Sequence, residues 1–393
     1  MTVSLPEPDA DQRAHSERLA ALIRAQIAEA GGSIPFSRYM ELALYAPGLG
    51  YYSAGSSKLG AEGDFVTAPE LGPTFARCTA NALAPVLREI GPQAQFVELG
   101  GGTGAFAFDA LLRLAELDAL PAHYALLEPS ADLRERQRAR LAELPAGIAA
   151  RLRWLDAPPQ APWQGVLFAN EVLDALPTTR FEVRGGEAWE QHVVVDAHGR
   201  FAFEARPADA LVAGAVAHLQ RRLDAPLPEG YASETLPQLP YWIQAVAGTL
   251  GRGAMLFVDY GYPRREYYLP ERGDGTLVCH YRHRAHADPF HLPGLQDLTA
   301  FVDFTALVES GTHAGFDFAG YCSQASFLIG NGLAGELAAI ERIEDVVLRQ
   351  RRLQQVKRLT LPGEMGERFQ AMGFVREVDL EHAFAEGDLS RRL

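Results

Sequence analysis

The sequence predicts an α/β protein whose core is a parallel sheet flanked by helices. Between residues 95 and 169, short apolar segments alternate with segments of helical periodicity, and strands that alternate with helices form parallel sheets. Hydrophobic residues make up 48% of the chain and charged residues 22%, as is usual for a globular protein. The length of 393 residues exceeds a usual domain, which predicts a large core with insertions.

The N-terminal part of the chain is predicted to contain helices separated by a long loop. Apolar residues recur at helical spacing from Glu17 to Ala30, before two glycines. Tyr45 to Pro73 is rich in Gly, Pro, Ser and Tyr, and ordered loops of this length are commonly functional. A second helix is predicted from Ala76 to Ile90, where Gly91-Pro92 ends it.

The core strands are predicted from short apolar segments. Between them, helices are predicted to run through Leu117 and through Leu144. The predicted core strands are Gln95–Leu99, His123–Leu127, Arg151–Leu155, Val166–Ala169 and Met255–Tyr260. Thr179–Arg206 predicts a β-hairpin inserted on the main sheet, with its turn at Gly185-Gly186. The later predicted elements are helices at Tyr241–Leu250, Phe301–Thr312 and Leu333–Leu359, and strands at Phe316–Ser323 and Phe374–Val378.

This order of elements predicts two regions. Residues 1–90 form an N-terminal helical and loop lobe, and residues 91–393 form the core. Insertions are predicted at about 179–240, 261–300 and 330–362.

Composition excludes several classes of protein. The formal charge of −14 argues against binding to a nucleic-acid backbone, although acidity also serves solubility alone. No apolar run approaches the length of a membrane span. The first 30 residues carry no targeting pattern, and the cysteines are far apart, so we expect a bacterial protein of the cytoplasm. The histidines between 280 and 291 alternate with arginines and predict no metal site.

The strongest functional pattern is Phe96-Val-Glu-Leu-Gly-Gly-Gly-Thr-Gly104, an apolar strand that leads into glycines and then a helix. Glycines let the backbone approach a ligand closely, and the helix N-terminus offers free amides. The spacing of Gly100, Gly102 and Ala105 also fits the dinucleotide pattern. Glu98 favours S-adenosylmethionine, because its carboxylate attracts the ammonium of a methionine group and repels a diphosphate.

Further acids follow the next predicted strands. Glu128 comes 24 residues after Gly104, near the offset expected of an acid that binds ribose hydroxyls. Asp156 follows the third strand and is assigned to the adenine amino group, with a turn or helix-cap role left open. These acids support a nucleoside ligand without distinguishing the two cofactors.

The fourth strand ends in Asn170-Glu-Val-Leu-Asp-Ala-Leu-Pro177, at the edge where open α/β sheets bind ligands. Glu171 and Asp174 are the predicted pair that orients a methyl acceptor, because an arginine acceptor stays charged and needs carboxylates. Asn170 is assigned to the same site, although Asn170 and Asp174 also suit a tight turn. In the segment from Gly63 to Glu70, Asp64 and Thr67 are assigned to the cofactor, as in a lid.

Together these motifs resemble those of the MidA and complex I assembly factor 7 family of methyltransferases. The matching strings are Leu49-Gly-Tyr-Tyr52, Gly63-Asp-Phe-Val-Thr-Ala-Pro-Glu70, Glu98-Leu-Gly-Gly-Gly-Thr-Gly104, Asn170-Glu-Val-Leu-Asp-Ala-Leu-Pro177, Asp259-Tyr-Gly261, Asp297-Leu-Thr-Ala-Phe-Val-Asp-Phe304 and Leu361-Pro-Gly-Glu-Met-Gly366. They occur in order over about residues 36–370. The sequence departs from the family at Gly101 and Thr103, where Pro and Arg are frequent.

The resemblance implies a Rossmann-like class I methyltransferase core with an N-terminal helical lobe and inserted elements. It implies S-adenosyl-L-methionine as cofactor and a protein arginine as acceptor, dimethylated symmetrically in an NADH dehydrogenase subunit in the mitochondrial members. Three alternatives stay open: a small-molecule methyltransferase, an assembly module that binds the cofactor without turnover, and a nicotinamide oxidoreductase. The oligomeric state is not predicted.

Overall fold

A computed structural model describes residues 5–54 and 67–393. The helices are α1 (Ala10–Glu29), α2 (Phe36–Tyr45), α3 (Pro73–Ile90), α4 (Ala105–Glu116), α5 (Ala131–Leu141), α6 (Ala146–Ala149), α7 (Ala210–Gln220), α8 (Leu239–Ala247), α9 (Arg264–Tyr267), α10 (Phe304–His313), α11 (Gln324–Gly330), α12 (Leu333–Glu341), α13 (Val346–Thr360) and α14 (Met365–Arg368). The strands are β1 (Ile34–Pro35), β2 (Gln95–Leu99), β3 (His123–Leu127), β4 (Leu152–Leu155), β5 (Trp163–Asn170), β6 (Thr179–Arg184), β7 (Glu187–Val195), β8 (Phe201–Pro207), β9 (Ala232–Thr235), β10 (Leu250–Tyr262), β11 (Val278–Tyr281), β12 (Arg284–His286), β13 (Asp297–Thr299), β14 (Val302–Asp303), β15 (Asp317–Ser323) and β16 (Phe369–Arg376).

The chain forms two compact units. The first contains the described residues within 1–65 together with 174–239 and 262–303, and the second contains the described residues of 66–173 with 240–261 and 304–393. The predicted insertions at about 179–240 and 261–300 thus fall largely in the first unit, and α3 belongs to the second.

The sheet of the second unit has the strand order β15-β16-β10-β5-β2-β3-β4. β4, β3, β2, β5 and β10 run parallel to one another, whereas β16 is antiparallel to both β10 and β15. The chain proceeds outward from β2 to β3 and β4 on one side and from β5 to β10 on the other. Open sheets of this kind bind ligands at the carboxyl end of the strands where the order reverses, which here lies between β2 and β5.

Aromatic side chains fill the core under this switch point. The rings of Phe96 and Tyr124 stack with centroids 4.6 Å apart, and those of Phe106 and Phe168 stack at 4.1 Å. All four side chains are buried, so burial of their apolar area holds β2, β3, β5 and α4 together. The carboxyl ends of these strands are therefore fixed relative to one another.

The first unit carries two antiparallel sheets. β1, β7, β6 and β9 form one in that order, with β8 on β7, and β12, β11 and β13 form the other. The predicted hairpin is confirmed, because β6 and β7 pair on either side of Gly185-Gly186. Its placement on the main sheet was wrong, since both strands belong to the first unit. Amphipathic alternation defines a half-buried strand without specifying its sheet.

Several predicted element boundaries need correction. The predicted helix Leu333–Leu359 is two helices, because Asp345 caps α13 by accepting from the backbone N–H groups of Val347 and Leu348. Helix α1 begins at Ala10, where Asp9 and Gln12 form a capping box. The last strand starts at Phe369, earlier than predicted.

Among the residues that the structure describes, none of the helices combines the length and apolarity that a membrane crossing requires. The same residues contain no cluster of three or more His, Cys, Asp or Glu side chains suited to a metal ion.

A buried ion pair in the first unit connects the sheet of β1, β7, β6 and β9 to the segment that precedes β11. Glu234 in β9 is fully buried and accepts hydrogen bonds from Arg180, from the backbone N–H of Thr276 at 2.7 Å and from the Thr276 hydroxyl at 3.2 Å. Arg180 also donates to Asp274 and, at 2.7 Å, to Gln191. A buried charge of this kind is tolerated only while its partners are in place.

We expect Glu234→Gln to lower the free energy of unfolding by about 3 kcal/mol, because it leaves the Arg180 guanidinium buried without its main counter-charge. Denaturant titration followed by circular dichroism measures the change. Glu229→Gln, at an exposed position, is the control and should change stability by less than about 0.5 kcal/mol. Equal stability of the two variants would show that the pair contributes nothing.

Candidate cofactor and acceptor site

The glycine string forms a tight loop at the carboxyl end of β2. Gly100, Gly102 and Gly104 have φ of 61°, 51° and 83°, a region that residues with a Cβ rarely adopt. The backbone N–H of Gly100 donates to the Leu127 carbonyl at 3.0 Å. Helix α4 begins directly after Gly104, so its unpaired N–H groups lie beside the loop. The loop therefore exposes backbone to a ligand at the switch point of the sheet.

Glu98 lies under this loop. Its side chain is 3% exposed, and one carboxyl oxygen accepts a hydrogen bond from the Tyr124 hydroxyl at 2.8 Å. Burial raises the pKa of Glu98 to about 8; the Tyr124 hydrogen bond opposes this shift and the neighbouring Glu128 adds to it. Much of the carboxyl is thus protonated at neutral pH, and a cation placed beside it would favour ionisation.

Glu128 follows β3 and is also 3% exposed. Its Oε1 accepts from the backbone N–H of Ser130 at 3.0 Å, and its Oε2 accepts from Gln137 at 3.4 Å. Burial raises the pKa of Glu128 to about 7, although the Ser130 N–H, Arg134 and Gln137 lower it. The structure thus places two buried acids, Glu98 and Glu128, at the ends of adjacent strands.

Asp156, assigned to adenine from the sequence, has a side chain that is 91% exposed and pairs with Arg134 at 2.6 Å. Arg134 also donates to the carbonyls of Leu155, at 2.7 Å, and Glu128. The arginine therefore links the ends of β3 and β4. The adenine assignment of Asp156 stays a prediction.

The end of β5 presents Asn170 and Glu171. Glu171 has φ of 53°, a left-handed conformation that costs a non-glycine residue about 1–3 kcal/mol and often marks a functional position. Its backbone N–H donates to the Val258 carbonyl at 2.9 Å. Its Oε1 accepts from the Asn170 amide at 3.0 Å and from the backbone N–H of Ala68 at 3.4 Å. These contacts hold the carboxylate in one orientation.

Asp259, the first residue of the Asp259-Tyr-Gly261 motif, stabilises the turn after Glu171. Asp259 Oδ2 accepts from the backbone N–H groups of Val172 at 3.2 Å and Leu173 at 3.0 Å. A methyl group added to Gly100 would lie 3.0 Å from Val172. The turn after β5 therefore packs directly against the glycine loop.

Asp174 belongs to the first unit and is 5% exposed. Its backbone carbonyl accepts from the Ala300 N–H at 3.0 Å. The pKa of Tyr52 in the same unit is raised by burial first, and then by the charges of Asp297, Tyr45 and Asp174. Asp174 thus lies in an acidic and aromatic environment, and its assignment to the acceptor stays a prediction.

The predicted cofactor residues of the long loop differ in outcome. Asp64 lies outside the described residues. Thr67 precedes a short helical turn, and its carbonyl accepts from the Glu70 N–H at 3.1 Å. Glu70, for which the sequence predicted no separate role, accepts hydrogen bonds from the Thr103 hydroxyl and, at 3.1 Å, from Arg140. This contact anchors the segment after residue 66 to the glycine loop.

The second unit therefore brings together the glycine loop, Glu98, Glu128, Asn170 and Glu171 at the carboxyl ends of three adjacent strands. These groups fit S-adenosylmethionine. The carboxylates can accept hydrogen bonds from an ammonium and from ribose hydroxyls, and the glycine backbone lets a ligand approach closely. The pair of buried acids does not suit a diphosphate.

Comparison with known proteins agrees with this geometry. Residues 78–322 match the sequence profile of a family described as S-adenosyl-L-methionine-dependent methyltransferase. The mitochondrial protein arginine methyltransferase NDUFAF7 of Bos taurus is 30% identical over 380 residues, covering 88% of this chain and 80% of the relative. The Drosophila melanogaster homologue is 28% identical, covering 96% and 89%.

A solved structure is similar over nearly the whole chain. It is that of a protein from Burkholderia thailandensis bound to S-adenosyl-homocysteine. The two proteins share 45% identity with a TM-score of 0.91, over 99% of this chain and 100% of the other.

Fold and site together define a class I methyltransferase whose cofactor is S-adenosyl-L-methionine, as the sequence predicted. More narrowly, the chain belongs to the methyltransferase family that includes NDUFAF7 and the Burkholderia protein. The predicted Rossmann-like fold class is confirmed.

The two buried acids predict a pH dependence. Both folded pKa values, about 8 for Glu98 and about 7 for Glu128, exceed the ordinary 4.5. Between pH 4.5 and these folded pKa values, the folded protein binds more protons than the unfolded chain. The free energy of unfolding without cofactor therefore falls as the pH rises from about 4.5 to about 8. Because a bound cation favours the ionised acids, we expect cofactor binding to release protons near pH 7.

Calorimetric titration with S-adenosylhomocysteine in two buffers of different ionisation enthalpy measures this release. The observed heats should differ between the buffers at pH 7, where the ligand amine is already protonated, and the difference gives the number of protons released. Identical heats in both buffers at pH 7 would contradict the prediction.

Proposed function

We propose that this protein methylates an arginine side chain of a protein, and that the substrate is an NADH dehydrogenase subunit dimethylated symmetrically. The names of its relatives, which are protein arginine methyltransferases at 28–30% identity, support the acceptor class. The observation that carries the proposal is the Glu171 carboxylate, which Asn170 and the Ala68 N–H hold on the turn that packs against the glycine loop.

An arginine acceptor explains why a carboxylate is needed at this position. The guanidinium keeps its charge because its pKa lies above about 12, and it presents a planar set of N–H donors. A carboxylate held in one orientation accepts from two of those donors and turns the remaining nitrogen toward the methyl group. Glu171, held by Asn170 and the Ala68 N–H, meets this requirement.

The proposed assignments follow the strand ends. Glu98 and the backbone of Gly100, Gly102 and Gly104 bind the methionine end. Glu128 binds ribose and Asp156 the adenine side, and Asp64 and Thr67 contribute from the loop.

Glu171, Asp174 and Asn170 orient the acceptor and stabilise its charge, and the Glu171 carboxylate accepts the proton that the nitrogen loses. The cofactor supplies an electrophilic methyl on a sulfonium. Holding the acceptor nitrogen within about 3–3.5 Å of the methyl group, in line with its bond to sulfur, accounts for much of the rate of methyl transfer.

Mass spectrometry of arginine-containing peptides from cells with and without the gene tests the proposal. We expect a dimethylated arginine in an NADH dehydrogenase subunit that disappears in the deletion and returns with the wild-type gene. If all arginine peptides are unchanged, the protein-arginine proposal fails. A methylated metabolite lost in the same cells would then identify a small-molecule enzyme.

A further inference from the structure

Helix α5 contains one fully buried polar side chain, Gln137, whereas most of its other residues are half-buried or exposed. The buried residues of the helix are Gln137 and Leu141. Their spacing of one helical turn marks the face that packs on the sheet, where an apolar residue is usual. A buried amide is costly unless its hydrogen bonds are made.

The Gln137 amide uses its donors and its acceptor on three different parts of the site. Its Nε2 donates to the Gly102 carbonyl at 2.9 Å and to Glu128 Oε2 at 3.4 Å. Its Oε1 accepts from the Trp154 indole N–H at 3.0 Å. One side chain thus connects the glycine loop, the acid after β3, and β4.

The glycine loop also packs against this side chain. A Cβ on Gly104 would lie 3.4 Å from the Gln137 Cα, and one on Gly101 would lie 3.4 Å from Gln137 Nε2 and 3.4 Å from the Glu98 carboxyl carbon. Gln137 therefore fixes the position of the loop as well as that of the Glu128 carboxylate. Hydrogen bonds to charged groups are stronger than those between neutral groups. The Gln137 hydrogen bond therefore holds the Glu128 side chain most firmly when that carboxylate is ionised.

We propose that Gln137 is a positioning residue that sets the recognition of the cofactor ribose by holding the Glu128 carboxylate against the glycine loop. This inference rests on the proposed assignment of Glu128 to the ribose. The Ser130 N–H binds Oε1 and Gln137 binds Oε2, so the carboxylate cannot rotate away from one direction. The remaining lone pairs of both oxygens accept hydrogen bonds from the ribose hydroxyls.

The test compares the affinities of the protein for S-adenosylhomocysteine and for its 2′-deoxy analogue by calorimetric titration. The wild-type protein should bind the ribose form about tenfold more tightly, as one charge-assisted hydrogen bond gives. Gln137→Met, which matches the side chain in length without its amide, should reduce this ratio to about twofold. A general structural defect would weaken both ligands equally and leave the ratio unchanged.

Glu135→Gln, at an exposed position of the same helix, is the matched control and should keep the wild-type ratio. If Gln137→Met does not fold, Gln137→Asn keeps the amide but shortens its reach, and the same loss is expected. A wild-type ratio in a folded Gln137 variant overturns the proposal. If the wild-type protein binds S-adenosylhomocysteine and its 2′-deoxy analogue equally tightly, the assignment of Glu128 to the ribose is overturned instead. Neither result depends on the identity of the methyl acceptor.

Discussion

Glu98→Gln should weaken the binding of S-adenosylmethionine by about 10- to 100-fold, because it removes one partner of a buried charge-assisted hydrogen bond. The substitution keeps the size of the side chain and an oxygen to accept from the Tyr124 hydroxyl. The loss therefore reports the charge of the carboxylate. Since Glu98 has a pKa of about 8, the wild-type affinity rises with pH through this region, and the variant should show a flatter profile.

Calorimetric titration at pH 7 and pH 9 measures both effects. Glu336→Gln provides a matched control, because Glu336 is another buried acid of the second unit and pairs with Arg77 at 2.9 Å. That control should lose stability and keep its affinity for the cofactor. An affinity within twofold of wild type at both pH values for Glu98→Gln would remove the basis for assigning this acid to the methionine end.

The sequence was informative at the site because its chemistry is local. The acid, the glycines and the helix start lie within one segment from Glu98 to Ala105, and each has a signature in the order of residues. The strand-end acids Glu128 and Glu171 were found for the same reason, since parallel strands bring their carboxyl ends to one edge of a sheet.

The supporting side chains left no such signature. Gln137 and Arg140 lie in a polar helix, where such residues are usually solvated. Their roles depend on which helix face meets the glycine loop, and only the tertiary structure determines that.

The separate sheet of the first unit shows a similar limit. Alternating apolar and polar residues predicted β6 and β7 correctly, but pairing with β1 and β9 joins segments far apart in sequence. The break between α12 and α13 was missed because apolar spacing continues across it, although Asp345 is a recognisable helix cap.

Glu171→Gln should reduce arginine methylation by about 10²- to 10⁴-fold, the range observed when a residue that assists proton transfer or stabilises charge is lost. The substitution keeps an oxygen to accept from the Ala68 N–H, so the turn should retain its conformation. Cofactor affinity should stay within about twofold, because Glu98 and Glu128 are unchanged. A loss of methylation without a loss of cofactor affinity would identify Glu171 as a residue that orients the methyl acceptor.

The measurement is the extent of methylation in deletion cells that express each variant, with S-adenosylhomocysteine affinity determined on the purified proteins. Glu364→Gln, at an exposed position, should restore full methylation. If Glu171→Gln also restores it, the carboxylate is dispensable and its left-handed backbone needs another explanation. If instead both methylation and cofactor affinity collapse, Glu171 supports the glycine loop through Val172, which packs on Gly100, and the acceptor role passes to Asp174.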